Sequence, residues 1–211
     1  MTLPQPEGFV PRRAVLRIAV LGEGLLIVGA LAWILLRDLS IPVSLSRTTI
    51  AQALALTGPL VLLNLYVFLG PDGPRLRHPS WRIFAEQFVR PLCADLTPGA
   101  ALVVSLLAGL GEELVFRGVL LTELRPWCGD VGAVLISGIL FGWVHFLSLW
   151  QRFIPVVLAY CFFGIVLGSI YLYTNDLMLL ILLHAFYDFA VILAVRRDTR
   201  RSRGRAGSPQ M

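Results

Sequence analysis

Six runs of apolar residues, each near the ~20 that a helix needs to cross ~30 Å of hydrocarbon, govern what this chain can fold into. They cover Ala14–Leu36, Thr49–Leu69, Pro98–Leu124, Val131–Leu149, Phe153–Tyr173 and Leu177–Val195. Backbone groups in lipid must find their hydrogen bonds within the protein, and a helix provides them within each run. The segment Pro79–Asp95 differs, mixing Trp81, Ile83, Phe84, Phe88 and Val89 with Arg82, Glu86 and Arg90. That pattern predicts an amphipathic helix lying at the membrane surface. The expected fold class is therefore all-α: a polytopic membrane bundle of about six transmembrane helices plus one interfacial helix. Composition agrees, with 15% charged residues against roughly 25% in soluble domains.

The first run competes with a cleaved signal peptide, because Arg12 and Arg13 precede it. It is long for a signal core, and no small-x-small cleavage site follows Leu36, so a retained span is expected. The organisation then reads as a disordered tail over 1–13 and two spans with the interfacial helix over 14–96. A four-span core over 97–195 follows, and a basic disordered tail over 196–211. Gly70-Pro71-Asp72-Gly73-Pro74 closes the second run as a strong breaker cluster. Cys93, Cys128 and Cys161 lack metal-type spacing and indicate neither a disulfide framework nor a zinc–thiolate site.

All eighteen basic residues are arginine, and the net charge is +5. They border apolar runs, which points to anionic lipid headgroups rather than nucleic acid. Six spans put both termini on one side, which collects fourteen arginines against three on the other. The positive-inside rule then makes both termini cytoplasmic, in a cell membrane that the all-arginine usage of a high-GC genome suggests is bacterial.

The remaining arginine, Arg117, falls inside a span, in Gly111-Glu112-Glu113-Leu114-Val115-Phe116-Arg117. A charge at the bilayer centre costs at least ~2.5–3.5 kcal/mol, so intramembrane ionisable residues are candidates for function. Glu113 and Arg117, one turn apart, can pair on one helix face. Glu112, about 100° round the helix, is left without a partner in its own span, which suits proton transfer. His145 lies in the next long run, and His184 and Asp188 sit four apart in the last. The histidine–aspartate pair can bind a metal or fix an imidazole tautomer. Glu23, inside the first run, has no assigned role beyond facing other helices. Glycines flank these motifs, among them Gly109, Gly111, Gly118, Gly138 and Gly142, and permit close helix approach.

Glu-Glu-x-x-x-Arg, Phe-x-x-x-His and His-x-x-x-Asp in successive apolar segments resemble the CAAX protease and bacteriocin-processing (CPBP, or Abi) family. The residues are Glu112, Glu113 and Arg117, then Phe141 and His145, then His184 and Asp188. The family includes the eukaryotic endopeptidase that removes the last three residues of prenylated proteins, bacteriocin self-immunity proteins and membrane-bound sorting proteases. The resemblance implies that Glu112 activates a water with help from His145. It implies further that His184 and position 188 stabilise the oxyanion, and that Arg117 holds Glu113. Where the eukaryotic enzymes carry asparagine, this chain has Asp188, which cannot donate a hydrogen bond when ionised. Either Asp188 is protonated, or it orients His184, or it ligates a metal.

The same four residues, Glu112, His145, His184 and Asp188, could instead form a nitrogen–oxygen site for a divalent metal such as zinc with a bound water. No His-Glu-x-x-His is present, and a metal-free glutamate mechanism is preferred. The expected activity is intramembrane endopeptidase, acting on a membrane-anchored protein or a leader peptide. The alternative is a non-catalytic bacteriocin-immunity or partner-binding protein on the same scaffold. A small transporter is disfavoured, because the spans show no repeat and no matching broken helices.

Overall fold

The structure, a computed structural model, describes residues 10–69, 78–147 and 149–206. The breaker cluster at 70–74 and most of the expected N-terminal tail lie outside the described residues. The described chain is helical with no strand, as a lipid-dissolved backbone requires. Helix α1 spans Arg12–Leu36 and α2 spans Arg47–Leu69. The interfacial helix α3 begins as Pro79–Phe84, widens into a π segment Ala85–Val89 and finishes as the turn Arg90–Cys93. Helix α4, Pro98–Glu113, passes into a second π segment, Leu114–Leu121. Helices α5 (Thr122–Val144), α6 (Ile154–Thr174) and α7 (Leu177–Ala206) complete the bundle.

Among the described residues five stretches are long and apolar enough to cross a membrane, and the third runs without interruption over Pro98–Val144. At 1.5 Å per residue its 47 residues would be about 70 Å long, more than twice the hydrocarbon thickness. The stretch is in fact doubled. Gly129 adopts φ 70° and ψ 178°, a conformation open to glycine but strained for other residues, and the chain reverses there. The two arms pack on each other: Ser137 Oγ donates to Phe116 O at 2.8 Å, and the Phe116 and Phe141 rings meet edge-on at 5.2 Å. The protein is thus a multi-pass membrane protein in which the third of these stretches is folded into two arms. The expected loop at 125–130 is tighter than read: one residue makes the turn, and Arg125 Nε clasps Asp130 Oδ1 across it at 2.7 Å.

Polar contacts gather at the two ends of the bundle. At one end Arg12 N donates to Asp95 Oδ2, Arg90 pairs with Asp198, and Ser80 Oγ donates to Arg152 O. At the other, Arg37 and Trp33 share Glu123, while Asp176 takes Ser44 N and Thr49 Oγ1. The expected tail from 196 is partly corrected. Helix α7 continues to Ala206, because Arg90 holds Asp198 and Thr199 Oγ1 back-bonds to Val195 O. Only 207–211 of that tail falls outside the described residues.

Helices α4 and α7 form the centre, with α1 against α4, α2 against α7, and α5 paired with α6. Leu177, Leu180 and Leu183 of α7 are wholly buried among them. Where α5 meets α6, glycines bring the backbones together. A Cβ on Gly138 would lie 2.6 Å from Ile165 N, and one on Gly164 2.7 Å from Gly138 O. Packing accounts for these small residues directly. An aromatic cluster of Phe84, Phe88, Phe146, Phe153 and Tyr160 pins α3 to the start of α6.

Candidate functional site

Glu113 is the last residue of α4, and Arg117 sits one turn on within the π segment. Both side chains are fully buried, and Arg117 Nη1 donates to Glu113 Oε1 at 3.0 Å. The other guanidinium nitrogen, Nη2, donates to Gly164 O at 2.8 Å, and the group lies 4.7 Å above the Phe141 ring. The pair expected from the four-residue spacing therefore exists, and it also ties α4 to α5 and α6. Glu113 Oε1 has a further partner: His184 Nδ1 lies 2.8 Å away. A carboxylate oxygen only accepts, so in this contact His184 Nδ1 is the donor.

Glu112 points elsewhere. Its Oε2 is buried without a hydrogen-bond partner and stands 3.6 Å from His145 Nε2 and 3.9 Å from His184 Nε2. Asp188 Oδ2 approaches the same His184 nitrogen to 3.7 Å. His145 was expected within a span; it caps α5 instead, since the helix ends at Val144. Its Nδ1 lies 2.6 Å from Phe141 O. A carbonyl only accepts, so Nδ1 carries the proton of that contact and Nε2 is the nitrogen turned towards Glu112. Phe141 and Tyr160 flank the ring at 4.9 and 5.1 Å and fix its plane.

These side chains open on a cavity of about 370 Å³, lined by Glu112, His145, His184 and Asp188 together with apolar walls from α2 and α6. The structure brings all seven motif residues together, with Glu112, Phe141, His145, His184 and Asp188 on the cavity and Glu113 and Arg117 behind it. The motif reading did not include Asn64 of α2, Trp81 of α3, Tyr160 of α6 or Tyr187 of α7, which also line it. Nor did it give a role to Glu23 of α1. The carboxylate of Glu23 abuts Gly111, where an added Cβ would come within 2.5 Å of its Oε2. The available signals were a lone carboxylate in an apolar run, an amide between leucines, and a tyrosine one turn beyond His184.

Ligands bound to one zinc at ~2.0–2.1 Å stand roughly 3.4 Å apart. The spacings of 3.6, 3.9 and 3.7 Å are wider. Among the described residues no three His, Cys, Asp or Glu side chains are gathered so as to hold a metal ion. The set does not fit zinc as it stands.

A family model described as type II CAAX prenyl endopeptidase Rce1-like matches residues 95–190. Residues 95–190 are Rce1-like. The resemblance drawn from the motifs holds at family level, and that family is one of CAAX-type membrane endopeptidases. All seven motif residues fall inside the Rce1-like segment, whereas Glu23, Asn64 and Trp81 fall outside it. No curated protein and no solved structure gives a significant match.

Proposed function

We propose that the protein is an intramembrane endopeptidase that hydrolyses a peptide bond near the membrane surface in a membrane-anchored protein or leader peptide. The observation that carries this reading is the partnerless Oε2 of Glu112, facing the Nε2 atoms of two histidines on a common cavity. A carboxylate locked in a salt bridge makes a poor base, and here the neighbouring Glu113 takes that duty instead.

In the proposed reaction a water lodges against Glu112 and His145. Glu112 accepts its proton while His145 Nε2 accepts its second hydrogen bond, and the water oxygen attacks the substrate carbonyl carbon. An imidazolium at His184 donates from both nitrogens, Nδ1 to Glu113 and Nε2 towards the developing oxyanion. Asp188 orients that second nitrogen. The tetrahedral intermediate collapses when Glu112 returns the proton to the leaving nitrogen, breaking the C–N bond to give a carboxylic acid and an amine. Every step is carried by the chain's own side chains and water.

The setting we propose is a bacterial inner membrane with both termini cytoplasmic, where a lipid-anchored or leader-bearing protein supplies the substrate. The test compares membrane-protein termini in cells with and without the gene, and in cells carrying Glu112→Gln or His145→Ala. Termini that depend on the gene should be lost in both variants while the proteins still insert. Retained processing in either would refute the assigned chemistry and favour the partner-binding alternative.

A further inference from the structure

Besides the motif residues, the cavity wall carries a polar pair that the proposed hydrolysis does not use. Asn64 of α2 places Nδ2 2.6 Å from the hydroxyl of Tyr187 on α7. Its Oδ1 is buried and has no partner. Both residues line the cavity that holds Glu112, His145, His184 and Asp188. The Tyr187 ring is itself held, packed at a tilt on Phe163 with centroids 5.0 Å apart and planes 31° apart.

As arranged, the amide donates to the phenol oxygen, so the Tyr187 proton remains free to be given and Asn64 Oδ1 remains free to accept. Turning the amide over exchanges the two roles and still leaves one donor and one acceptor. A buried amide edge without a partner is costly, and a stable protein keeps few of them. An extended polypeptide presents the complement, an N–H and a C=O on each residue. The rest of the cavity wall contributed by α2 and α6 includes Leu60, Leu63, Phe162, Phe163 and Val166, which offer no side-chain hydrogen bonds.

We propose that Asn64 and Tyr187 form a clamp for the backbone of the peptide substrate, holding it against the α2 wall while Glu112 and His145 face the scissile bond. This rests on the proposed peptidase reading and adds the substrate's recognised chemistry: main-chain amide groups, read with tolerance of side-chain sequence. An interhelical hydrogen bond of purely structural purpose would also join α2 to α7, so the test must separate the two.

The probe is a set of fluorescein-labelled, palmitoyl-anchored peptides of varied sequence in nanodiscs, each with single backbone amides replaced by esters. Binding is read by anisotropy in a Glu112→Gln background, and hydrolysis separately with Glu112 intact. Asn64→Ala and Tyr187→Phe should each weaken binding about three- to tenfold, the range expected for one lost hydrogen bond. The loss in hydrolysis should fall on KM, with kcat little changed. One ester position should weaken binding to the protein with Asn64 intact and cost nothing further in Asn64→Ala. Equal ester penalties with and without Asn64, or no measurable peptide binding, would overturn the clamp. Binding with these dependences but no hydrolysis when Glu112 is intact would instead sink the peptidase reading and leave the clamp standing.

Discussion

The carboxylate of Glu113 accepts the Nδ1 proton of His184 at 2.8 Å while also holding Arg117 at 3.0 Å. One buried oxygen thus links an ion pair on α4 to the imidazole that faces Glu112. The adjacent glutamates consequently differ in setting: Glu113 is tied to Arg117 and His184, whereas Glu112 Oε2 has no hydrogen-bond partner.

That division predicts opposite mutant phenotypes. Glu113→Ala leaves the fully buried Arg117 with an uncompensated charge, at an expected cost of about 3–5 kcal/mol. Glu112→Gln removes no hydrogen bond of Oε2 and should shift stability by less than about 1 kcal/mol while abolishing cleavage. Thermal melts in detergent, run beside a cleavage assay, check both. A Glu113→Ala protein as stable as the parent would contradict the linkage.

Much of this arrangement was readable in advance, for a reason that also marks where reading stopped. Glu113 with Arg117, and His184 with Asp188, are separated by one turn on a single helix, so spacing alone places them together. The six apolar runs follow from the thickness of lipid. Convergence of Glu112 on His145 depends on how α4, α5 and α7 cross, which only the motif resemblance anticipated. Asn64 and Tyr187 lie 123 residues apart and belong to no local pattern. The overrun of α7 past 196 was hidden because its support, the Arg90–Asp198 pair, comes from the interfacial helix. The turn at Gly129 was read as six residues because proline and glycine mark a break without giving its width.

Donor spacing argues for a reaction that needs no metal. Activity should survive EDTA and 1,10-phenanthroline, and zinc should not be stoichiometric in purified protein. Glu112 Oε2 stands 3.6 Å from His145 Nε2 and 3.9 Å from His184 Nε2, wider than the roughly 3.4 Å between ligands of one zinc. Loss of activity on chelation that zinc restores would reverse this conclusion.

Close packing at Gly142 is expected to matter more than its distance from the chemistry suggests. A Cβ there would run into Cys161 N and Cα on α6, so a methyl group must push two backbones apart. Overpacking of this kind typically costs 1–3 kcal/mol, here at roughly the upper end because backbone cannot rotate away. His145 caps the same helix less than one turn later, so Gly142→Ala should lower both melting temperature and turnover. Gly99, with open space around its Cβ position, should accept alanine silently.

The proposed orientation can be read from the three cysteines. Cys128 is exposed beside the Gly129 turn, at the end of the bundle where Arg37 and Glu123 meet. In the proposed orientation, which follows from fourteen arginines against three, that end faces outward. Cys93 and Cys161 are buried, and burial, aided by the negative charge of Asp188, pushes the Cys93 thiol up to about 12. A raised thiol pKa means that the reactive thiolate is scarce near neutral pH and appears only as pH rises towards that value. A membrane-impermeant maleimide applied to intact cells should therefore add once, at Cys128, and Cys128→Ser should take up none. Modification that needs inverted vesicles would place the Gly129 turn in the cytoplasm and reverse the orientation of the whole bundle.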